Sequence, residues 1–372
     1  MKRILSQCQK ELAQFRRDRL TLALAFVLPL MTLIIFGFAI RLESQNIPLV
    51  VQDFDRSNLS QNYVDRLFAT NQFTPVRWSG DDPVRAVDAG IAKAAVLIPP
   101  EFSRQIKAGK TVDIQVLVDG SDTNNARVIK NSIKATTQFF QRTENLIPST
   151  QKIQARTRLW FNPDRKESLY IVPGIYAVIL WIYPALLSAI AMVREKEKGT
   201  ILQVYASSIS ATELLLGKAL AYLLVGLGEA IAIMVLGSLI FSLGLAGDPT
   251  PLLLGTPLYV GAAVMFGLLL GVRSSTQNAA VQGVALVGFI TALLLSGFIY
   301  PLNNIPFPLS LLSNIVPARY YIEITRDAYV RGIGWAGVWF AIVMITVIGL
   351  FFFNIARVRV TSSIEKWVTT GD

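Results

Sequence analysis

The sequence predicts an α-helical polytopic membrane protein of six spans, with an α/β domain inserted after the first. Three observations carry that prediction. The 372 residues are 52% hydrophobic and only 16% charged, with a mean hydropathy of +0.47, whereas soluble domains are about a quarter charged. The apolar residues gather near 20–40, 170–193, 217–243, 252–272, 278–300 and 336–356, each about the 20 residues that cross a hydrocarbon core of roughly 30 Å. Between the first and second stretches, residues 41–169 have the composition of ordinary soluble protein.

In chain order, residues 2–18 come first. They place Ile4, Cys8, Leu12 and Phe15 on one helical face, with Lys and Arg elsewhere. That is the period of an amphipathic helix lying in the interface plane, assigned to 1–19; a basic flank of a signal anchor is the alternative. The stretch 20–40 is longer than a signal-peptide core and has no small-x-small cleavage site after it, so it is expected to remain as the first span. The insert alternates strand and helix. Strands are predicted at Ile47–Gln52, Phe73–Trp78, Ala94–Ile98 and Val112–Val118, and helices at Asn58–Ala69, Pro83–Ala89, Glu101–Ala108 and Thr123–Ile147. Such alternation argues for an α/β layer domain with a mixed sheet.

A net charge of +10 is compatible with nucleic acid, but the basic residues sit beside the spans. Lys2, Arg3, Lys10, Arg16, Arg17 and Arg19 precede the first span, and Arg194, Lys196 and Lys198 follow the second. Membrane lipids with anionic headgroups explain this placement, and nucleic acid is not expected as a partner. The positive-inside rule puts the N-terminus, the 194–213 joint, Arg273 and the tail 357–372 in the cytoplasm, and the insert 41–169 and the turn 244–251 outside. Arg319, Arg326 and Arg331 misfit, because six spans place them outside as well.

The chain contains no His, which excludes His-ligated metal sites and Ser–His chemistry. Gly109-Lys110-Thr111 mimics the end of a phosphate-binding loop, but the leading glycine position is Arg104 and the triplet follows a helix. Gly332-x-Gly334-x-x-Gly337 matches a dinucleotide fingerprint by letters only, lacking any βαβ unit around it. Gly267 and Gly271 read as a small-xxx-small packing pair. Cys8 is the single cysteine, so no disulfide forms within the chain. Glu229 lies deep inside a span, where carboxylates are expensive and often functional. With Trp181 and Tyr183 it is a candidate for lining a substrate path, with hydrogen-bonded or aromatic packing as the plainer reading.

Arg194-Glu195-Lys196-Glu197-Lys198-Gly199-Thr200, followed by Glu213-Leu214-Leu215-Leu216-Gly217-Lys218, resembles the signature of permease subunits of type 2 ABC exporters. A second block is similar to that family's segment between the last two spans: Ser296 to Pro301, Asn303-Asn304-Ile305-Pro306, then Pro317, Arg319 and Tyr320, ending at Arg331-Gly332. Residues 51–57 and 119–122 resemble members carrying an external domain. The likeness covers essentially the whole chain, although Ile201-Leu202-Gln203 departs from the Leu-Glu that many members have after Gly-Thr.

The resemblance implies that 170–356 is a five-span bundle whose joint, Arg194 to Thr200 with Glu213, contacts an ATPase. It also implies a re-entrant segment, 301–332, dipping into the outer leaflet as short helices. That would hold Arg319 and its neighbours on protein-packed hairpin backbone, and the four prolines from Pro301 to Pro317 oppose a continuous span there. The implied protein is a non-enzymatic transport subunit in a bacterial inner membrane, working as a homodimer or a paralogous heterodimer. Separate ABC subunits would bind ATP and Mg, and this chain would bind no cofactor. The cargo is expected to be lipophilic, amphipathic and drug-like, moved outward; lipid or glycan export is the alternative, and envelope efflux partners are possible. A membrane receptor with an external sensor would explain neither the joint nor the proline segment, and an ion-driven transporter working through Glu229 would be expected to carry internal inverted repeats, of which none is obvious.

Overall fold

Lys2–Arg17 forms α1. In the computed structural model, which describes residues 1–39, 46–78, 82–120, 123–144, 146, 166–200, 209–300 and 302–370, this helix buries Cys8 and Phe15, as its period requires. It also buries Gln7 and Glu11. Asp18 stops the helix in extended backbone. Its carboxylate then accepts from the Leu20 and Thr21 amides and the Thr21 hydroxyl, capping α2, Arg19–Ala39. Capping of this kind satisfies donors that the first helical turn leaves orphaned.

The chain divides into two compact units, one of Met1–Ile40 with Arg158–Asp372 and the other of Arg41–Thr157. In the first, six helices among the described residues are long and apolar enough to cross a membrane, in line with the expected fold class. After α2 come α7, Ser168–Glu197; α8, Ala211–Phe241; α9, Thr250–Arg273; α10, Gln277–Leu294, with a π-helical turn at Val284–Gly288; and α13, Trp335–Thr370. The helix α7 is almost wholly buried, packing against α2, α8, α9 and α10. Two of the ends that differ from the sequence reading have a local cause. The third span begins at Ala211 because Ser210 and Glu213 form a capping box, so polar residues that argued for a loop are helix-start chemistry. The fifth ends at Leu294, where the Ser296 hydroxyl turns back to the Ala292 carbonyl and Gly297 adopts φ +83°.

The α9–α7 contact is made by backbone. A Cβ on Gly267 would lie 2.0 Å from the Ala185 carbonyl oxygen, and one on Gly271 2.8 Å from that of Ala189. This is the close approach that small-xxx-small spacing permits.

Between α10 and α13 lie a 3₁₀ turn, Leu302–Asn304, and two short helices, α11, Leu309–Ser313, and α12, Pro317–Arg326. None is long enough to cross a membrane, and α12 packs against α7, α9 and α13. A π-helical turn, Asp327–Arg331, follows. The glycine fingerprint has a structural role here. Gly332 and Gly334 adopt φ of +67° and +76°, the Ile333 and Gly334 amides donate to buried Asp327, and a Cβ on Gly332 would sit 2.7 Å from the Ala246 oxygen.

The second unit holds a four-stranded mixed sheet, ordered β2-β1-β3-β4. Its strands are β1, Ile47–Asp53; β2, Phe73–Pro75; β3, Ala94–Ile98; and β4, Gln115–Val118. β1 runs parallel to β2 and β3, and β4 is antiparallel to β3. The helices α3, Asn58–Ala69; α4, Pro83–Asp88; α5, Phe102–Lys107; and α6, Thr123–Thr143, alternate with them. Tyr63, Leu67, Ile129 and Phe140 of α3 and α6 close a core over β1 and β3. Two strands are shorter than expected. β2 stops at Pro75, although the Val76 amide still donates to the Leu49 carbonyl, and pairing of β4 starts at Gln115 rather than Val112. Helix α6 ends at Thr143, and Ile147 lies outside the described residues. Gly109, at φ +70°, caps α5 with its amide bonded to the Ile106 carbonyl.

Candidate functional site

The last turn of α7 carries Arg194, Glu195, Lys196 and Glu197. Consecutive helical residues point about 100° apart, so four adjacent charges reach four different neighbours. Arg194 donates to Asp18 at 2.9 Å and to the Thr21 hydroxyl at 3.0 Å, tying α7 to α2. Glu195 is buried and pairs with Lys10 of α1 at 2.5 Å and Lys218 of α8 at 3.2 Å. Lys196 donates to the carbonyls of Gly271, at 3.0 Å, Val272 and Ser274, at 3.1 Å, at the C-terminus of α9. Glu197 accepts from the Gln277 amide at 2.7 Å and from its side chain, at the N-terminus of α10. Cations at helix C-termini and anions at N-termini match the helix dipole.

Lys218, the last residue of the second signature segment, has no exposed surface at all. It donates to Glu11 at 2.6 Å and to the Ala191 carbonyl at 3.3 Å. Glu11 also accepts from Gln7 at 3.0 Å and Tyr222 at 3.4 Å. Two lysines therefore face two glutamates across α1, α7 and α8. Lys10 still reaches water, but the other three are buried, and charges so far out of water are tolerated only when paired and hydrogen-bonded. At the edge of this cluster the Thr21 hydroxyl holds the Asp18 carboxyl below its ordinary range, and Arg194 adds to the effect.

Past Glu197 the joint opens. Lys198 and Gly199 are exposed and Thr200 half-buried, with its hydroxyl toward the Glu195 carbonyl at 3.3 Å. Gly199 ends the helix at φ +68°. Glu213 completes the capping box with Ser210 and lies 3.6 Å from Arg3. Ile201, Leu202 and Gln203, with the rest of the joint to residue 208, lie outside the described residues. The joint's predicted residues thus divide into those that tie helices together and a short open knuckle. Glu11 and Lys10 were not foreseen as members. The signal was present: an acid at helical spacing between Cys8 and Phe15, on the apolar face of α1.

The candidate path residues are buried among the helices of one chain. Trp181 stacks on Tyr259 and Phe266, at ring-centroid distances of 5.9 and 5.0 Å. Tyr183 shares a 2.6 Å hydrogen bond with Thr32. Glu229 is fully buried, and neither carboxylate oxygen has a partner among the described residues. In the proline segment, Pro317 occupies the first turn of α12, where its missing N–H removes no helix hydrogen bond. Pro306 accepts from the Ser310 amide, and Pro301 lies outside the described residues. Arg319 donates to Asn314 at 2.5 Å and Ser313 at 3.2 Å, and Tyr320 to the Asn314 carbonyl at 2.8 Å. The other misfit cations are also engaged. Arg326 sits 4.1 Å over the Tyr170 ring, and Arg331 donates to the Glu323 carbonyl at 2.9 Å.

Six helices long and apolar enough to cross a membrane, tied at one end by α1 and a charged joint, describe a multi-pass membrane protein. The family model described as ABC-2 family transporter protein matches residues 19–358, and the chain belongs to that family. It is 28% identical to the probable multidrug ABC transporter permease YbhS of Escherichia coli K12 over 344 residues, 89% of each chain. It is also 28% identical to the probable multidrug ABC transporter permease YbhR of the same organism, over 96% of this chain and 99% of that one. The inner membrane transport permease YhhJ of Escherichia coli K12 is 26% identical over 90% and 93%.

Proposed function

We propose that this chain is the membrane subunit of an ATP-driven exporter, moving lipophilic or amphipathic small molecules outward across a bacterial inner membrane. Separate subunits bind ATP and Mg, and two permeases, identical or paralogous, enclose the pathway. The observation that carries this reading is the division of labour in the joint. Arg194 to Glu197 bind α7 to α1, α2, α8, α9 and α10, so a push on the open knuckle at Lys198 and Gly199 acts on the whole set of helices. Differential contact with nucleotide-bound and nucleotide-free ATPase then shifts the bundle between states. The relatives' names support a drug-like cargo. The positive-inside rule supports cytoplasmic termini and an external position for the insert.

Lys198→Glu is the direct test. Glu195 is unsuitable because its removal breaks the buried cluster. Co-purification in detergent with the cognate ATP-binding subunit is expected to weaken at least about tenfold, the scale of a reversed charge at an interface, while the variant remains monodisperse. Wild-type protein that captures no ATPase would overturn the exporter reading.

Glu229 is assigned to recognition of positive charge on the cargo. Glu229→Gln keeps the side-chain shape and is expected to lose transport of cationic amphipaths while ATP hydrolysis by the complex continues. Unchanged transport of those compounds would leave Glu229 as a packing residue.

A further inference from the structure

A cavity of about 570 Å³ lies at the corner between α1 and α2, walled also by the C-terminal end of α7 and by Tyr222 of α8. Three acids line it, and each is already matched within the protein: Glu11 by Lys218, Asp18 by Arg194, and Glu195 by Lys10 and Lys218. The wall also carries Arg17, Arg19 and Lys198. The three side chains are exposed and make no hydrogen bond or ion pair among the described residues. The wall therefore holds surplus positive charge that no acid among the described residues answers.

The rim is apolar on one side only. Leu20 lines the cavity and is 73% exposed. Val27, Met31 and Phe38 are open too, and at 100° per residue they fall within about 20° of Leu20 around α2. One continuous apolar stripe thus leads from the cavity down the span, where it meets hydrocarbon. The cations at the top are two arginines, whose planar forks match phosphate oxygens, and a lysine.

We propose that this cavity binds the phosphate of an acidic phospholipid, with Arg17 and Arg19 holding the headgroup and an acyl chain lying along Leu20, Val27, Met31 and Phe38. Basic pockets beside spans are the usual seat of such headgroups. The proposal requires the membrane placement of the family but not the ATPase reading. Because Arg194 and Glu195 wall the same cavity, the lipid would touch the joint directly. A free phosphate ester shares the headgroup chemistry and lacks the tail.

The test is native mass spectrometry of the full chain released from bilayers of equal phosphatidylglycerol and phosphatidylcholine. Wild type is expected to retain one phosphatidylglycerol in preference to phosphatidylcholine. Arg17→Gln/Arg19→Gln should reduce that preference about thirtyfold, two cations at the strength typical beside anionic lipid, with an unchanged melting midpoint in lipid-free detergent. Lys198 is left intact so that loss of lipid and loss of an ATPase contact stay separable. Equal retention of both lipids by wild type, or undiminished preference in the variant, would overturn the site. Displacement of the lipid by millimolar glycerol 3-phosphate would overturn the lipid as occupant.

Discussion

Lys218→Met is expected to lower the thermal midpoint sharply and to cut the yield of monodisperse protein. The substitution leaves Glu11 without its ion pair and Glu195 with Lys10 alone, in surroundings that expose 2% and 5% of their side chains. Removing one partner of a buried ion pair costs about 3–5 kcal/mol, because the remaining charge is left uncompensated. Lys218→Met/Glu11→Met removes one charge of each sign and keeps the Lys10–Glu195 pair. It is expected to recover most of the loss, since apolar replacements of buried pairs are often neutral or stabilising. Fluorescence-monitored melts in one detergent at one scan rate check both variants. An unshifted midpoint for the single variant would show that the cluster does not hold these helices together.

Gly267→Ala should be nearly as damaging, by a different mechanism. The added methyl would stand 2.0 Å from the Ala185 carbonyl oxygen and 2.2 Å from the Ser188 hydroxyl. The first of these is backbone, so the strain cannot be relieved by turning a side chain; α9 must move off α7. Overpacking in a close-packed interior costs typically 1–3 kcal/mol, and this position belongs at the top of that range. Gly261→Ala on the same helix is the control, because a Cβ there meets nothing within 4 Å. Its midpoint should equal or exceed wild type, as Ala is the better helix former by about 1 kcal/mol. Equal behaviour of the two alanines would mean that α9 does not pack on α7 through Gly267.

Long apolar runs and strand–helix alternation are strong local signals, and from them the six spans and the mixed sheet were legible in the sequence. The boundaries that slipped did so where a polar side chain serves backbone. Glu213 reads as loop in a hydropathy profile, yet it closes a helix N-terminus. Ser296 ends a span that looked continuous to Tyr300. The joint was legible as a pattern, whereas its internal division was not. Nothing in Arg-Glu-Lys-Glu distinguishes a buried Glu195 from an exposed Glu197 until the neighbouring helices are in place. Lys218 was visible only as one letter of a family signature. Its partner Glu11 stands 207 positions away, a separation that no local period reports. Glu229 was the reverse case. Its exceptional position in the span was plain from sequence, and the structure adds full burial without a hydrogen-bond partner among the described residues.

That long separation also bears on how the protein is made. Helix α1 leaves the ribosome well before its seat, which is built from Glu195 and Lys218. At roughly 5–20 residues per second, Glu11 waits some 10 to 40 seconds for its lysine. During that interval α1 can rest only on the membrane surface, apolar face down, with Glu11 held where water still reaches it. Docking of the first helix is therefore a late event in biogenesis. A nascent chain arrested before the third span should leave Cys8 open to a water-soluble maleimide, and one arrested after it should not.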